Sequence, residues 1–256
     1  MNLPPLGAGD GLGNSFALAR RSDLRARGWT GAAAEAALAR QVCGASLDGL
    51  LVIGDAEADG AVTVHIVNRD GSDGGACLNG LRVAACASGA DAGVFRMAGR
   101  RVSWRRAGPG AFTLDLGALD EARFRAVEIG GLRGDAVDFW NPHAIFAVEE
   151  LDAFPLAAHA ARCARHADLF PHGVNVEIVK EIAPDTLRMR VCERGVGETA
   201  ACGSGAVAVA LARWQEGRSE ALEVRMKGGS LALRRNAAGA VELTGKARVS
   251  LFLEET

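Results

Sequence analysis

The chain has 256 residues, and 29 Lys and Arg stand against 31 Asp and Glu for a formal net charge of −2. That near balance excludes a nucleic-acid or anionic-membrane partner recruited by bulk charge. An apolar share of 49% and a charged share of 23% are globular values, which excludes disorder and collagen-like arrays.

In chain order, the opening MNLPPLGAGDGLGNSF has neither the basic flank nor the apolar core of a signal peptide. No apolar run reaches the roughly eighteen residues of a membrane span, so a cytoplasmic protein is expected. Thr30 is predicted to cap an alanine-rich helix through Arg40. β-branched runs at 50–53, 62–67 and 112–116 predict strands, with Val62, Val64 and Ile66 alternating against Thr63, His65 and Val67. The bend at Gly108-Pro109-Gly110 and the loop near Gly130-Gly131 allow a domain boundary near residue 117. Further strands are predicted at 144–148, 174–182, 187–192, 222–226 and 231–234. Pro155 suits the first turn of a helix running to about His166, and Gly217 can end a helix that begins near Gly203. Strands outnumber helices and do not alternate with them one for one, which favours an α+β fold over a doubly wound parallel sheet.

The six cysteines, 43, 77, 86, 163, 192 and 202, form no C-x-x-C pair and no zinc-finger spacing to a histidine. A chain of this size without export signals is expected to keep them as thiols and to hold no metal site.

An internal repeat organises the sequence. Asn68-Arg-Asp-Gly-Ser-Asp-Gly-Gly-Ala-Cys77-Leu-Asn-Gly80 superimposes without a gap on Glu193-Arg-Gly-Val-Gly-Glu-Thr-Ala-Ala-Cys202-Gly-Ser-Gly205, with the cysteines 125 positions apart. In each copy an arginine lies eight residues before the cysteine, a glycine three after it, and an apolar helical stretch follows at 81–87 or 206–214. A cysteine at a loop-to-helix junction meets unpaired backbone N–H groups and the positive helix end, which bind an anion and favour a thiolate. Two such loops can face each other with a sulfur on each side of one bound anion. One sulfur then removes an alpha proton and the other returns a proton from the far side, while helix N–H groups take up the charge on the carboxylate. No cofactor is required.

These motifs, with Gly-Leu-Gly-Asn14-Ser-Phe16, Asn141-Pro-His143 and Val-Asn175-Val-Glu, make the chain resemble diaminopimelate epimerase over almost its whole length. The resemblance implies two pseudo-symmetric domains, 1–117 and 118–246, each a mixed or antiparallel sheet wrapped around a central helix, with a strand at about 247–256 returning to the first. It implies a cofactor-independent epimerase of LL- and meso-diaminopimelate, serving lysine and peptidoglycan precursors, and a homodimer. Cys77 and Cys202 match the acid/base pair. The backbone around Leu78, Asn79, Gly203 and Ser204 matches the cradle of the reacting carboxylate. Glu193 matches a ligand of the reacting ammonium, and Arg194 with Asn68, Asn141 and Asn175 matches the set that holds the distal end. Asn14 and His143 match further pocket positions, His143 as an orienting or core residue because the cysteines fill both proton-transfer roles.

The chain departs from the family pattern at Leu78 and Trp140, where glycine is usual, at Ser15 in place of aspartate, and at Gly49, where some members carry glutamine. Leu78 is expected to strain its loop if the turn needs φ above zero. Trp140 is expected to shorten the distal pocket and favour a smaller amino acid. The alternatives are a racemase of another amino acid such as histidine, lysine or a hydroxyproline-like imino acid, a thiol hydrolase using Cys77 and His143, and a non-catalytic amino-acid-binding descendant. A dinucleotide module using residues 203–208 is disfavoured because its nearest predicted strand ends about ten residues earlier. If the two sulfurs face each other, oxidation is expected to join Cys77 to Cys202.

Overall fold

The computed structural model describes residues 2–253, with side chains through residue 250. The chain forms two compact units, one up to Leu116 and again from Thr244, the other Gly117–Leu243. In the first unit β1 (Leu6–Asp10) pairs antiparallel with β2 (Ser15–Arg20). Helices α1 (Arg21–Ala26) and α2 (Ala32–Val42) then carry the chain to β3 (Gly49–Ala56), parallel to β2. β3 pairs antiparallel with β4 (Val62–Asn68). A second crossover, α3 (Leu78–Ser88), reaches β5 (Ala92–Met97), which is parallel to β4. β6 (Arg100–Gly108) and β7 (Ala111–Asp115) continue antiparallel.

The second unit repeats this order. β8 (Arg123–Ile129), β9 (Leu132–Phe139) and β10 (Asn141–Ala147) are successive antiparallel neighbours. α4 (Leu156–Cys163) crosses to β11 (Asn175–Ala183), parallel to β10, and β12 (Thr186–Glu193) pairs antiparallel with β11. After the short β13 (Gly197–Thr199), α5 (Gly203–Gln215) crosses to β14 (Ala221–Met226), parallel to β12, followed by antiparallel β15 (Gly229–Arg235) and then β16 (Val241–Lys246). Finally β17 (Arg248–Leu253) pairs antiparallel with β1, the place that β8 takes beside β9. Residues 254–256 of the expected returning strand lie outside the described residues.

Each unit has the same three layers, and the period-two alternation of strands explains them. Leu50 and Val52 join Leu24, Trp29, Leu38 and Cys43 in a core under α1 and α2, while Leu51 between them points to α3, beside Gly80. Likewise Val176 and Ile178 pack with Leu156, Cys163 and Phe170 under α4, and Glu177 between them points to Gly205 of α5. The central helices are buried on all sides, as sequences without a polar stripe must be. Residues 78–85 of α3 and 203–212 of α5 are buried throughout. α3 packs against β1, β3, β4, β5, β6, β7 and β17, and α5 against β9, β10, β11 and β15. The fold is a mixed α+β architecture.

Local chemistry shifts several predicted ends. Thr30 does not cap α2: Gly31 is the N-cap at φ 83 with no side-chain hydrogen bond, and its carbonyl accepts from Ala34 and Glu35 N–H. α4 stops at Cys163, three residues before the expected His166, and Pro155 is its N-cap. α5 starts at Gly203 and is closed by Gly217 at φ 71, whose N–H donates to the Trp214 carbonyl. Strands such as β1, β8, β9 and β13 escaped the β-branched count because they are rich in Gly, Ala and charge.

Candidate active site

Both repeated cysteines are N-caps of buried helices in extended conformation, Cys77 at φ −138, ψ 107 and Cys202 at φ −127, ψ 115. In each, the sulfur accepts from the N–H of the glycine three residues on, Gly80 or Gly205, at 3.4 Å. The plus-three glycine is required by packing as well. A Cβ on Gly80 would lie 2.5 Å from Ile66 Cδ1, and one on Gly205 would lie 2.5 Å from Glu177 Oε1.

In the first unit Asn14, Cys77 and Asn79 come together. The Cys77 thiol donates to Asn14 Oδ1 at 3.6 Å, and Asn79 Nδ2 donates to the same oxygen at 3.4 Å. Asn14 is oriented from behind, because its Nδ2 donates to Asp48 Oδ2 at 2.8 Å. Asp48 also accepts from Ser15 N–H at 2.8 Å and from Arg69 at 3.2 Å, so Ser15 offers its backbone here and the first repeated arginine is an ion-pair partner. The loop passes close to α3: a Cβ on Gly11 would meet the Asn79 carbonyl at 3.0 Å. Asn68 closes its own turn, donating to Ser72 Oγ at 3.0 Å and the Asp73 carbonyl at 3.4 Å. Leu78 opens α3 without positive φ and is buried, so the expected loop strain is absent and its N–H stays at the helix end. Gly49 is needed where it stands, since a Cβ would lie 2.6 Å from the Val67 carbonyl oxygen.

In the second unit Cys202 is buried, with Ser204 Oγ at 3.4 Å. Burial pushes its thiol well above the ordinary value, and the carboxylates of Glu193 and Glu177 add to that. Glu193 accepts from Thr199 Oγ1 at 2.5 Å. Burial raises its carboxyl too, against the bonds from Thr199 and Cys202. His143 and Glu177 are both wholly buried and joined Nδ1 to Oε1 at 2.8 Å. His143 therefore works from inside the unit and presents no ring to solvent. Asn175 Oδ1 accepts the Arg194 N–H at 2.9 Å and its Nδ2 donates to the Pro142 carbonyl at 3.3 Å, which ties Arg194 to the strand start that carries Asn141. Arg194 Nη1 donates to the His172 carbonyl at 2.5 Å, and the exposed guanidinium has no carboxylate partner among the described residues. Trp140, at φ 49, makes the one-residue turn between β9 and β10. A non-glycine residue there costs about 1–2 kcal/mol, which is the physical reason for a glycine at such a turn.

Arg82, Asp48, Thr199 and Glu177 were not singled out from the sequence. A readable signal existed for one of them: Arg82 is a lone charge within an apolar helical run, whereas Glu177 shares its β-branched run with Lys180 and Glu181. Asp48 and Thr199 carried none, since polar residues beside turns are commonplace.

The mixed α+β fold, with a helix sealed inside each unit's sheet, is shared with solved structures. A PhzF-family phenazine biosynthesis protein from Enterococcus faecalis matches with a TM-score of 0.70 at 14% identity, covering 97% of each chain. A hydroxyproline epimerase from Agrobacterium vitis matches with a TM-score of 0.68 at 13% identity, covering 96% of this chain and 90% of its own. Those likenesses place the protein in the fold class that holds PhzF-like proteins and epimerases.

Sequence relatives narrow the class. Diaminopimelate epimerase from Afipia carboxidovorans is 31% identical, with 93% of this chain and 90% of the relative covered, and that from Moorella thermoacetica is 34% identical, with 82% and 83% covered. The diaminopimelate epimerase family profile matches residues 136–250. The chain belongs to the diaminopimelate epimerase family.

Proposed function

We propose that this protein is an isomerase that interconverts LL- and meso-diaminopimelate by proton transfer at one alpha carbon, without a cofactor. The observation that carries the reading is the duplicated cysteine N-cap, one in each unit, with identical glycine N–H donors. Inversion requires a base on one face of the alpha carbon and an acid on the other. Cys77 and Cys202 fill those roles: a thiolate takes the alpha proton, and the thiol delivers its own to the opposite face. The charge that develops on the substrate carboxylate is met by the N–H groups that open α3 and α5, around Leu78, Asn79, Gly203 and Ser204.

Glu193 suits the reacting ammonium, being an acid whose oxygen already faces Cys202. Arg194 suits a distal carboxylate, since a guanidinium binds it through two parallel bonds, and Asn68, Asn141 and Asn175 complete that end. Asn14 orients Cys77, and His143 supports Glu177 from within the core. The thiol-hydrolase alternative loses its base, because His143 is wholly buried and bonded to Glu177. The partner is a small amino acid, and we expect a cytoplasmic homodimer; no described helix is long and apolar enough to cross a membrane. Light scattering on the purified chain tests the dimer.

The test is exchange of the alpha proton in deuterated water, followed by NMR with LL-diaminopimelate and a panel of L-amino acids. Label entering diaminopimelate with inversion, and lost in both Cys77→Ala and Cys202→Ala, is expected. A second reading, racemisation of a smaller amino acid, is favoured by Trp140 directly before Asn141. Label in a monocarboxylic amino acid and none in diaminopimelate selects it. No label in any substrate refutes both.

A further inference from the structure

The two units repeat the backbone around their cysteines but not the buried charge beneath them. Register shows the substitution: Leu51, opposite Ile66, and Glu177, opposite Val191, hold the same place below the plus-three glycine of each central helix. Five residues after each cysteine the exchange runs the other way, with Arg82 in α3 where α5 has Val207. Behind the Cys202 cap there is thus a buried acid, Glu177, and behind the Cys77 cap a buried cation, Arg82.

Arg82 is wholly buried in α3. Its guanidinium donates to the Asn79 Oδ1 at 2.8 Å and the Leu78 carbonyl at 3.3 Å, its Nε has no partner, and no carboxylate pairs with it among the described residues. A charge held in the interior by neutral oxygens alone is costly and favours a nearby anion. Resting on the two-cysteine reading, we infer that Arg82 is the positioning residue that makes Cys77 the first of the two thiols to ionise, so that the resting enzyme meets substrate with Cys77 as base and Cys202 as acid.

The surrounding groups agree in direction. Burial draws the Arg82 guanidinium down to about 10, and Cys77 is the one ionisable neighbour whose charge pushes it back up. Of the acids on or beside the elements around α3, Asp48 is occupied by Asn14, Ser15 and Arg69, Asp10 by Gly13, Ser15 and Arg248, and Asp55 of β3 by Arg25, while Asp115 ends β7 half-buried. The group opposing ionisation is Asn14 Oδ1, which faces the Cys77 sulfur. That oxygen also takes a bond from Asn79 Nδ2, and Arg82 binds the other end of the same Asn79 amide. Arg82 thus acts twice, as a charge and as the clamp that turns the Asn79 N–H outward. At Cys202 the Gly205 N–H and Ser204 favour the thiolate, while burial, Glu193 and Glu177 oppose it.

The test is the pH dependence of Cys77 alkylation by iodoacetamide, read by peptide mass spectrometry, beside thiolate absorbance of the wild type minus that of Cys202→Ser. Cys77 is expected to ionise at lower pH than Cys202. Cys202 ionising first overturns the proposal on wild-type protein alone. Arg82→Gln, which keeps hydrogen-bond donors and removes the charge, is expected to slow Cys77 alkylation near neutral pH about tenfold, one unit of pKa. Arg82→Lys is expected to restore most of that rate. An unchanged rate in folded Arg82→Gln, checked by circular dichroism, overturns the assignment. Because alkylation needs no substrate, it stands apart from the epimerase reading, whose failure appears as absent alpha-proton exchange in the wild type.

Discussion

Cysteine is a poor choice of helix cap, since Ser, Thr, Asn and Asp bind first-turn N–H groups better. Its use at both Cys77 and Cys202, with the sulfur accepting at 3.4 Å in each, is explained by chemistry and not by stability. Cys202→Ser is therefore expected to leave the melting temperature unchanged or raised, while deuterium exchange falls by about 10²–10⁴-fold. An equal loss of stability and exchange would contradict that separation. A second cluster belongs wholly to stability. Glu35 is buried, bound by Arg21 at 2.5 Å and by His65 at 2.8 Å. Burial pushes its carboxyl up, but the His65 bond and the Arg21 charge outweigh it and leave it lowered; the Glu35 bond leaves His65 raised. A lowered carboxyl stabilises above its unfolded value and loses that as pH falls; a raised imidazole stabilises below its unfolded value and loses that as pH rises. The cluster is thus worth most between about pH 4.3 and 6.5. The stability gap between wild type and Glu35→Gln, measured by urea unfolding across pH, should peak in that window.

At the scale of elements, the two plus-three glycines differ in what lies against them. Ile66 Cδ1 beside Gly80 is the end of an apolar side chain that can turn, whereas Glu177 Oε1 beside Gly205 is held by buried His143. Gly205→Ala should cost more than Gly80→Ala, at the upper end of the roughly 1–3 kcal/mol of overpacking, and chemical unfolding of both variants compares them. The start of α2 gives a second contrast. With no cap bond from Thr30 and Gly31 at φ 83, Thr30→Ala should change stability by less than about 0.5 kcal/mol, and Gly31→Ala should cost about 1–2 kcal/mol. Thermal melts that rank the pair the other way would restore Thr30 as the cap. Sequence signals named this helix but not its cap, because a threonine before an apolar-periodic run is compatible with either geometry.

At the scale of the whole molecule, each unit borrows one strand position from a different part of the chain. β9 receives β8 from the residues just before it, and β1 receives β17 from the far end. Removing residues 247–256 takes away the antiparallel partner of β1. Hydrogen exchange is expected to show lost protection at β1 and β2 while β8 and β9 keep theirs. Equal loss in both units would mean that they unfold as one. The repeat also frames the charge asymmetry: the two halves keep equal caps, and their differences at Leu51/Glu177 and Arg82/Val207 put an acid behind one cap and a cation behind the other.

Features that are periodic or contiguous along the chain are legible without any structure: the duplicated cysteine loops, the apolar helices behind them, the α+β balance of elements and the family resemblance. Those features follow from spacing along one chain, where glycine, cysteine and β-branched runs act through local backbone geometry. Which side chains stand behind the site follows from packing in three dimensions. Asp48 lies on Asn14, and Glu177 on His143 and under Gly205, because elements far apart in sequence bring them together, while Arg82 reaches Asn79 within one turn of α3 and only the sheets packed around that helix bury it. A buried charge has its meaning from neighbours that no window of sequence contains, since the cost of leaving water is met or left unmet by residues 34 positions away, as for His143 and Glu177.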